Sequence, residues 1–296
     1  MKKMFFRSIS AILFYLGILA FGSFTLYAQT ASSHDALNLG LKAYNAGDYS
    51  QSMKWFLKAA DQGDAIAQNN IGFLYDKGMG VTQNNQEAMK WYQKASVKGY
   101  PNAEFNIGQL YEKGSGVIQD YKEALKWYLK AAAQGYPPAE NNIGELYGKG
   151  LGVTQNHREE MKWLLKASAH GCADADSNIG VNYVMGQGVT RDYQEAKKWF
   201  LKASDQGNPE AERNLGVMFE LGQGVEKEYK EALKWFLEAA NQGDALAEDN
   251  IGFLYAKGLG VKKDYQEAMK WFLKAAAQGD QTGQENAAHL KKLMAK

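Results

Sequence analysis

Four histidines, one cysteine and a set of evenly spaced asparagines are the residues of this 296-residue chain that could do chemistry. His34, His157, His170 and His289 share no metal-ligand spacing. There is no His-Glu-x-x-His pair and no Cys/His cluster, so each is expected to be a solvated surface residue, with no metal and no cofactor. Cys172 stands alone and can close no internal disulfide. The chain has no Gly-x-Ser-x-Gly elbow, no phosphate loop, no Ser-x-x-Lys and no Lys-Thr-Gly triplet, and Gly-Ser-Gly at 114–116 reads as a turn. No catalytic residue is predicted.

The asparagines are the polar feature that remains. Asn70, Asn106, Asn142, Asn178, Asn214 and Asn250 recur every 36 residues, with Asn286 in phase. A primary amide donates and accepts at once, which suits an extended peptide backbone whatever its side chains. The same amides could instead bond a neighbouring unit and hold the chain together, and the two readings carry equal weight. Phe73, Phe105 and Phe253 lie close to them in sequence and would be apolar anchors on a mixed surface. Arg213 is the one cation beside an asparagine, too few for capture of a free carboxylate.

Everything else in the chain obeys the same step. All seven tryptophans do so (Trp55, Trp91, Trp127, Trp163, Trp199, Trp235 and Trp271), as do the glycines that close each unit, from Gly63 to Gly279. A period of this length means stacked helical pairs. In the unit 244–279, Ala247, Ile251, Leu254 and Tyr255 fall on one face of a first helix, and Gly258-Leu259-Gly260-Val261 breaks it. Asp264 reads as the N-cap of a second helix, with Glu267 completing a capping box; Asn84, Asp120, Asn156, Asp192 and Glu228 are its counterparts. The second helix is expected to bury Tyr265, Ala268, Trp271, Phe272 and Ala275. Gly252 in mid-helix costs about 1 kcal/mol against alanine, so its recurrence implies close approach of a neighbouring helix.

This pattern resembles the Sel-one-like repeat, a longer relative of the tetratricopeptide repeat with a Gly-x-Gly-Val connection between its helices. The resemblance covers 64–279 as six units: 64–99, 100–135, 136–171, 172–207, 208–243 and 244–279. Residues 29–63, with a short Ala46-Gly47-Asp48-Tyr49 turn, look like a lead-in plus a tetratricopeptide-like N-terminal cap, and 280–296 like a C-terminal capping helix. The resemblance implies an all-α fold, a right-handed α-solenoid of antiparallel helix pairs, in which the asparagines line a concave face that binds a protein or peptide. Cysteine-rich relatives linked to β-lactams suggest a cell-envelope hydrolase as the alternative, but their cysteine pairs are absent here.

Residues 1–28 place Lys2, Lys3 and Arg7 ahead of an apolar run from Ile9 to Phe24, the pattern of a signal peptide. Export to the periplasm or medium is expected, with an uncleaved anchor as the alternative. Without that segment 34 basic residues fall to 31 against 33 acidic ones, a formal −2. A nearly neutral chain is a poor ligand for nucleic acid or anionic membrane, and a monomer is expected. The lysines three residues after Glu87, Glu123, Glu159, Glu195, Glu231 and Glu267 should be neutralised by i, i+3 pairing. Glu160 and Asn182 stand where other units carry alanine and leucine, making that junction the most polar.

Overall fold

The computed structural model describes residues 32–295. The leader expected over 1–28 lies outside the described residues. Fifteen helices and no strand are found among the described residues. They fall into two compact units that divide between Gln134 and Gly135.

The first unit holds α1 (Ser33–Asn45), α2 (Tyr49–Asp61), α3 (Ala65–Lys77), α4 (Asn85–Ser96), α5 (Pro101–Lys113) and α6 (Tyr121–Ala133). The second holds α7 (Pro137–Lys149), α8 (His157–Ala169), α9 (Ala173–Met185), α10 (Tyr193–Ser204), α11 (Pro209–Leu221), α12 (Tyr229–Asn241), α13 (Ala245–Lys257), α14 (Tyr265–Ala277) and the terminal α15 (Gln281–Met294). Helices of 12 to 14 residues are marginal alone, so pairing and stacking must hold them.

Sequence fixes both ends of each helix. Asn84, Asp120, Asn156, Asp192 and Asp264 each accept two backbone N–H groups at the start of a second helix, whereas Glu228 occupies the position without such a bond. The glutamates three residues on do not complete a capping box. Their carboxylates turn to the lysine one turn ahead, as in Glu87–Lys90 at 2.5 Å and Glu267–Lys270 at 2.7 Å, and all six expected pairs form. Gly78 ends α3 in the left-handed region at φ 67°, and Gly80 follows at φ 69°. A side chain on Gly80 would meet the Tyr49 backbone at 2.8 Å, so the second glycine lets the connection lie on the start of α2.

The cores correct one expectation. The residue after each tryptophan is the buried one: Phe56, Tyr92, Tyr128, Leu164, Phe200, Phe236 and Phe272 are 0–3 % exposed. Trp55 is buried, but the other six tryptophans are only half-buried, flanking these cores. The mid-helix glycines explain the choice. A Cβ on Gly108 would stand 2.5 Å from the Tyr128 ring, and one on Gly216 2.5 Å from the Phe236 ring. Each first helix therefore approaches its partner through a glycine, set against a ring in every pair except the one where Gly144 meets Leu164, as the recurrence implied.

Glu160 and Asn182 are accommodated locally. Glu160 lies over Gly148, whose absent Cβ leaves room for its carboxylate, and pairs with His157 Nδ1 at 2.7 Å. Asn182 is buried with its amide 3.3 Å from Met161 Sδ.

Candidate functional site

The asparagine ladder lies on the first helix of each pair, and all seven members are half-buried. Three rungs are closed between successive repeats. Asn106 Nδ2 donates to Asn69 Oδ1 at 3.0 Å, Asn178 Nδ2 to Asn141 Oδ1 at 3.0 Å, and Asn286 Nδ2 to Asp249 Oδ1 at 2.9 Å. The acceptor is always the residue preceding the ladder position one repeat earlier. Where that residue changes, the rung changes: Asn214 faces Ser177, and neither Asn214 Nδ2 nor Ser177 Oγ has a protein partner. Before Asn250 it is Arg213, whose guanidinium is held by Asp244 at 3.3 Å and Glu210 at 3.4 Å. Asn70, Asn142 and Asn250 make no side-chain hydrogen bond within the described residues. A closed rung still leaves its donor's carbonyl oxygen and second N–H available.

Cavities in both units gather residues of this face. In the first unit a cavity of about 330 Å³ is lined by Leu41, Tyr44, Phe56, Asn69, Asn70, Phe73, Asn102 and Asn106. Phe73 meets Tyr44 edge-on at 6.4 Å, which fixes the ring as one wall. In the second unit a cavity of about 210 Å³ is lined by Val181, Val184, Met185, Phe200, Asn214, Val217, Met218 and Gln223. The structure thus brings Asn70, Asn106 and Phe73 together and sets Asn214 among valines. Phe105 packs on Tyr128 at 5.5 Å instead of standing free, Phe253 is 38 % exposed outside both cavities, and the half-buried Arg213 also lies outside them.

A second periodic array was not foreseen. The fourth residue of each first helix from α3 onward is a buried polar group: Gln68, Glu104, Glu140, Asp176, Glu212 and Glu248. Each carboxylate is bonded by a residue at the C-terminal end of its own second helix. Gln134 Nε2 reaches Glu104 at 2.7 Å, Gln206 reaches Asp176 at 2.8 Å, and Gln242 and Gln278 reach Glu212 and Glu248 at 2.8 Å. His170 takes this role for Glu140, with Nδ1 at 2.7 Å. His157 and His170 are therefore engaged with carboxylates, while His34 and His289 are exposed as expected.

A lysine three residues after the tryptophan completes the arrangement. Lys166 lies 3.1 Å from Glu140 and 5.0 Å from the Trp163 ring centre; Lys202 is 2.9 Å from Asp176 and 4.9 Å from Trp199; Lys274 is 2.9 Å from Glu248 and 5.0 Å from Trp271. Lys130 stands 3.6 Å over Trp127 and acts on Glu104. The ammonium is held between an aromatic face and a buried carboxylate, which offsets the cost of burying that charge. The recurrence of an acid 36 residues apart was legible, but its partners lie 26 and 30 residues away and no local pattern joins them.

Burial holds the Glu104 carboxyl above the usual range, opposed by the Gln134 bond and by Lys130. Burial likewise raises Glu212, with Gln242 opposing and Glu238 adding to it. Burial also raises the free Cys172 thiol, the reverse of what an activated nucleophile needs. Among the described residues no three His, Cys, Asp or Glu side chains are grouped to hold a metal ion.

Paired antiparallel helices repeated along the chain, with a ladder on the first helix and a bonded buried carboxylate within each of the five pairs from α5/α6 to α13/α14, define an all-α repeat solenoid. The Sel1 repeat model matches at 34–64, 65–100, 101–136, 137–172, 173–208, 209–244 and 245–280, and the chain belongs to the Sel1 repeat family. It is similar to a Sel1 repeat protein from Oxalobacter formigenes, with 37 % identity, a TM-score of 0.75 and coverage of 82 % of this chain and 99 % of that one. It is also similar to c5321, a protective antigen of uropathogenic Escherichia coli strains with the same repeat fold. There the identity is 35 % and the TM-score 0.63 over 87 % of this chain, which spans 56 % of that longer one. The immunity protein Pa5087 from Pseudomonas aeruginosa, 21 % identical with a TM-score of 0.54 over 75 % of this chain and 83 % of its own, shares the fold. No curated protein matches the chain. As a Sel1-type solenoid, the chain is a repeat scaffold of the kind that engages other proteins.

Proposed function

We propose that the chain is an exported adaptor that grips an extended segment of a partner protein along the first-helix face. The observation that carries this reading is the cavity in the first unit, where Asn70 and Asn106 amides stand beside an apolar floor of Leu41, Tyr44, Phe56 and Phe73. An extended backbone can take the free amide valences while one partner side chain enters the cavity. Val181, Val184 and Val217 beside Asn214 offer a smaller apolar recess of the same kind in the second unit. Arg213, bound by its own acids, serves this reading as a positioning group and not as a carboxylate clamp. Export is supported by the leader pattern of 1–28 and by the similarity to c5321, described as a protective antigen.

Cross-linking pull-down from the native envelope, comparing the wild type with Phe73→Ala, tests the assignment. The variant should fold and lose at least three-quarters of its specific captured partner. Equal capture by both proteins would refute the role of this cavity.

A further inference from the structure

The repeat 208–243 departs from its neighbours at one position of the clamp, and that departure defines a site. Glu238 stands where Lys130, Lys166, Lys202 and Lys274 stand in four other repeats. The rest of the clamp is retained. Glu212 is 6 % exposed and accepts from Gln242 Nε2 at 2.8 Å, and Trp235 follows Glu231 as a tryptophan follows a glutamate in each of the six full repeats. In the sister repeats this carboxylate and aromatic face hold an ammonium nitrogen, at 2.9 to 3.1 Å from the oxygen and 4.9 to 5.0 Å from the ring centre. Those lysines are internal ligands that report what the slot binds. Here the slot has gained a second carboxylate and lost its cation.

Among the described residues none makes up the loss. Glu238 is exposed and forms no ion pair among the described residues. Lys234 lies 6.0 Å from the Trp235 ring centre but is committed to Glu231, at 3.6 Å. The nearby Arg213 is held by Glu210 and Asp244. The charge that acts on Glu212 is that of Glu238, and it is repulsive.

We infer that Glu212, Glu238 and Trp235 form a receptor for a primary ammonium, the lysine side chain of a partner protein, which takes the place filled elsewhere by the chain's own lysine. A lysine suits the site better than an arginine, because the slot is shaped by four compact ammonium groups and by no planar guanidinium. Two carboxylates and one aromatic face match a single cation carried on an apolar stem. Glu212 and Asn214 are two residues apart on α11, about 200° around the helix, so this slot and the ladder face different ways. The inference does not depend on segment binding by the ladder and can fail or stand alone.

The test follows the Trp235 indole N–H by NMR in the full chain, with its signal assigned by Trp235→Phe. The probes are Nα-acetyl-lysine methylamide, its Nε-acetylated counterpart, cadaverine, and sodium chloride at equal ionic strength. The Trp235 signal should shift saturably with the lysine amide and not with the acetylated form or salt. Glu238→Lys, which supplies the slot with a resident ammonium, should abolish the shift while the other six indole signals stay in place. Glu212→Gln should weaken binding at least threefold. An equal shift in Glu238→Lys, or no saturable shift in the wild type, overturns the site. Cadaverine binding ten times tighter than the lysine amide would assign the slot to free diamines and overturn the partner lysine.

Discussion

At the scale of single residues, the side chain that fills each core, a ring in all but the Leu164 pair, and the indole beside it have separate duties. Phe200 is 1 % exposed and faces the missing Cβ of Gly180, whereas Trp199 is half-buried and carries Lys202 at 4.9 Å. Phe200→Ala should therefore cost about 3 to 5 kcal/mol, as a buried aromatic truncation does. Trp199→Ala should cost less, and denaturant unfolding of the two variants checks the order. Glu238→Lys should raise stability at neutral pH by about 0.5 to 1 kcal/mol, an increase of about 1 to 4 °C in Tm. Burial, and after it Glu238, hold the folded Glu212 carboxyl above its unfolded value. The contribution of Glu212 is thus complete below the ordinary carboxylate range and lost as pH rises through the higher folded value. The gain from Glu238→Lys should accordingly be larger at pH 7 than at pH 4, and calorimetry at both values measures it. The tryptophan period was plain in the sequence, but which of two adjacent aromatics enters the core depends on where the glycine of the facing helix falls. Periodicity alone does not give that.

At the scale of the helix pair, the punctuation was legible and the cross-connections were not. The aspartates before Tyr121, Tyr193 and Tyr265 cap their helices as read, because an N-cap is settled within three residues. The ladder is a longer-range matter. Its rungs join residues 37 apart, and whether a rung closes depends on the residue before each asparagine: Asn69, Asn141 and Asp249 accept, whereas Phe105, Ser177 and Arg213 replace the acceptor. A closed neutral rung should contribute about 1 kcal/mol. Asn106→Ala and Asn69→Ala should each lose about that much, and the double variant clearly less than the sum, with a coupling of about 0.5 to 1 kcal/mol. Strict additivity would mean that the amides are held by other groups. The carboxylate clamp escaped the sequence for the same reason, since Glu104 with Lys130 and Gln134 forms a triangle only after two helices fold back on each other.

At the scale of the whole molecule, charge and the expected leader make a compartment prediction. The 34 basic and 33 acidic residues nearly cancel, so neither nucleic acid nor an anionic surface has a charge to grip. The chain should be released by osmotic shock or found in the medium, shortened by about 28 residues. Recovery of the full-length chain in the membrane fraction would instead point to an uncleaved anchor. The family was legible from the 36-residue recurrence, while the identity of the gripped partner has no trace in a pattern that building the stack already explains.

The clamp has a consequence for how such a chain can change its length. Acid, lysine, cap and indole all come from one 36-residue span, as do the glycine and the ring it faces. A gene segment encoding one span is therefore a self-sufficient cassette. Unequal recombination can add or delete copies without separating these groups, leaving the contacts between successive repeats, such as the amide rungs and the approach of Gly80 to Tyr49, to be matched anew at the seam.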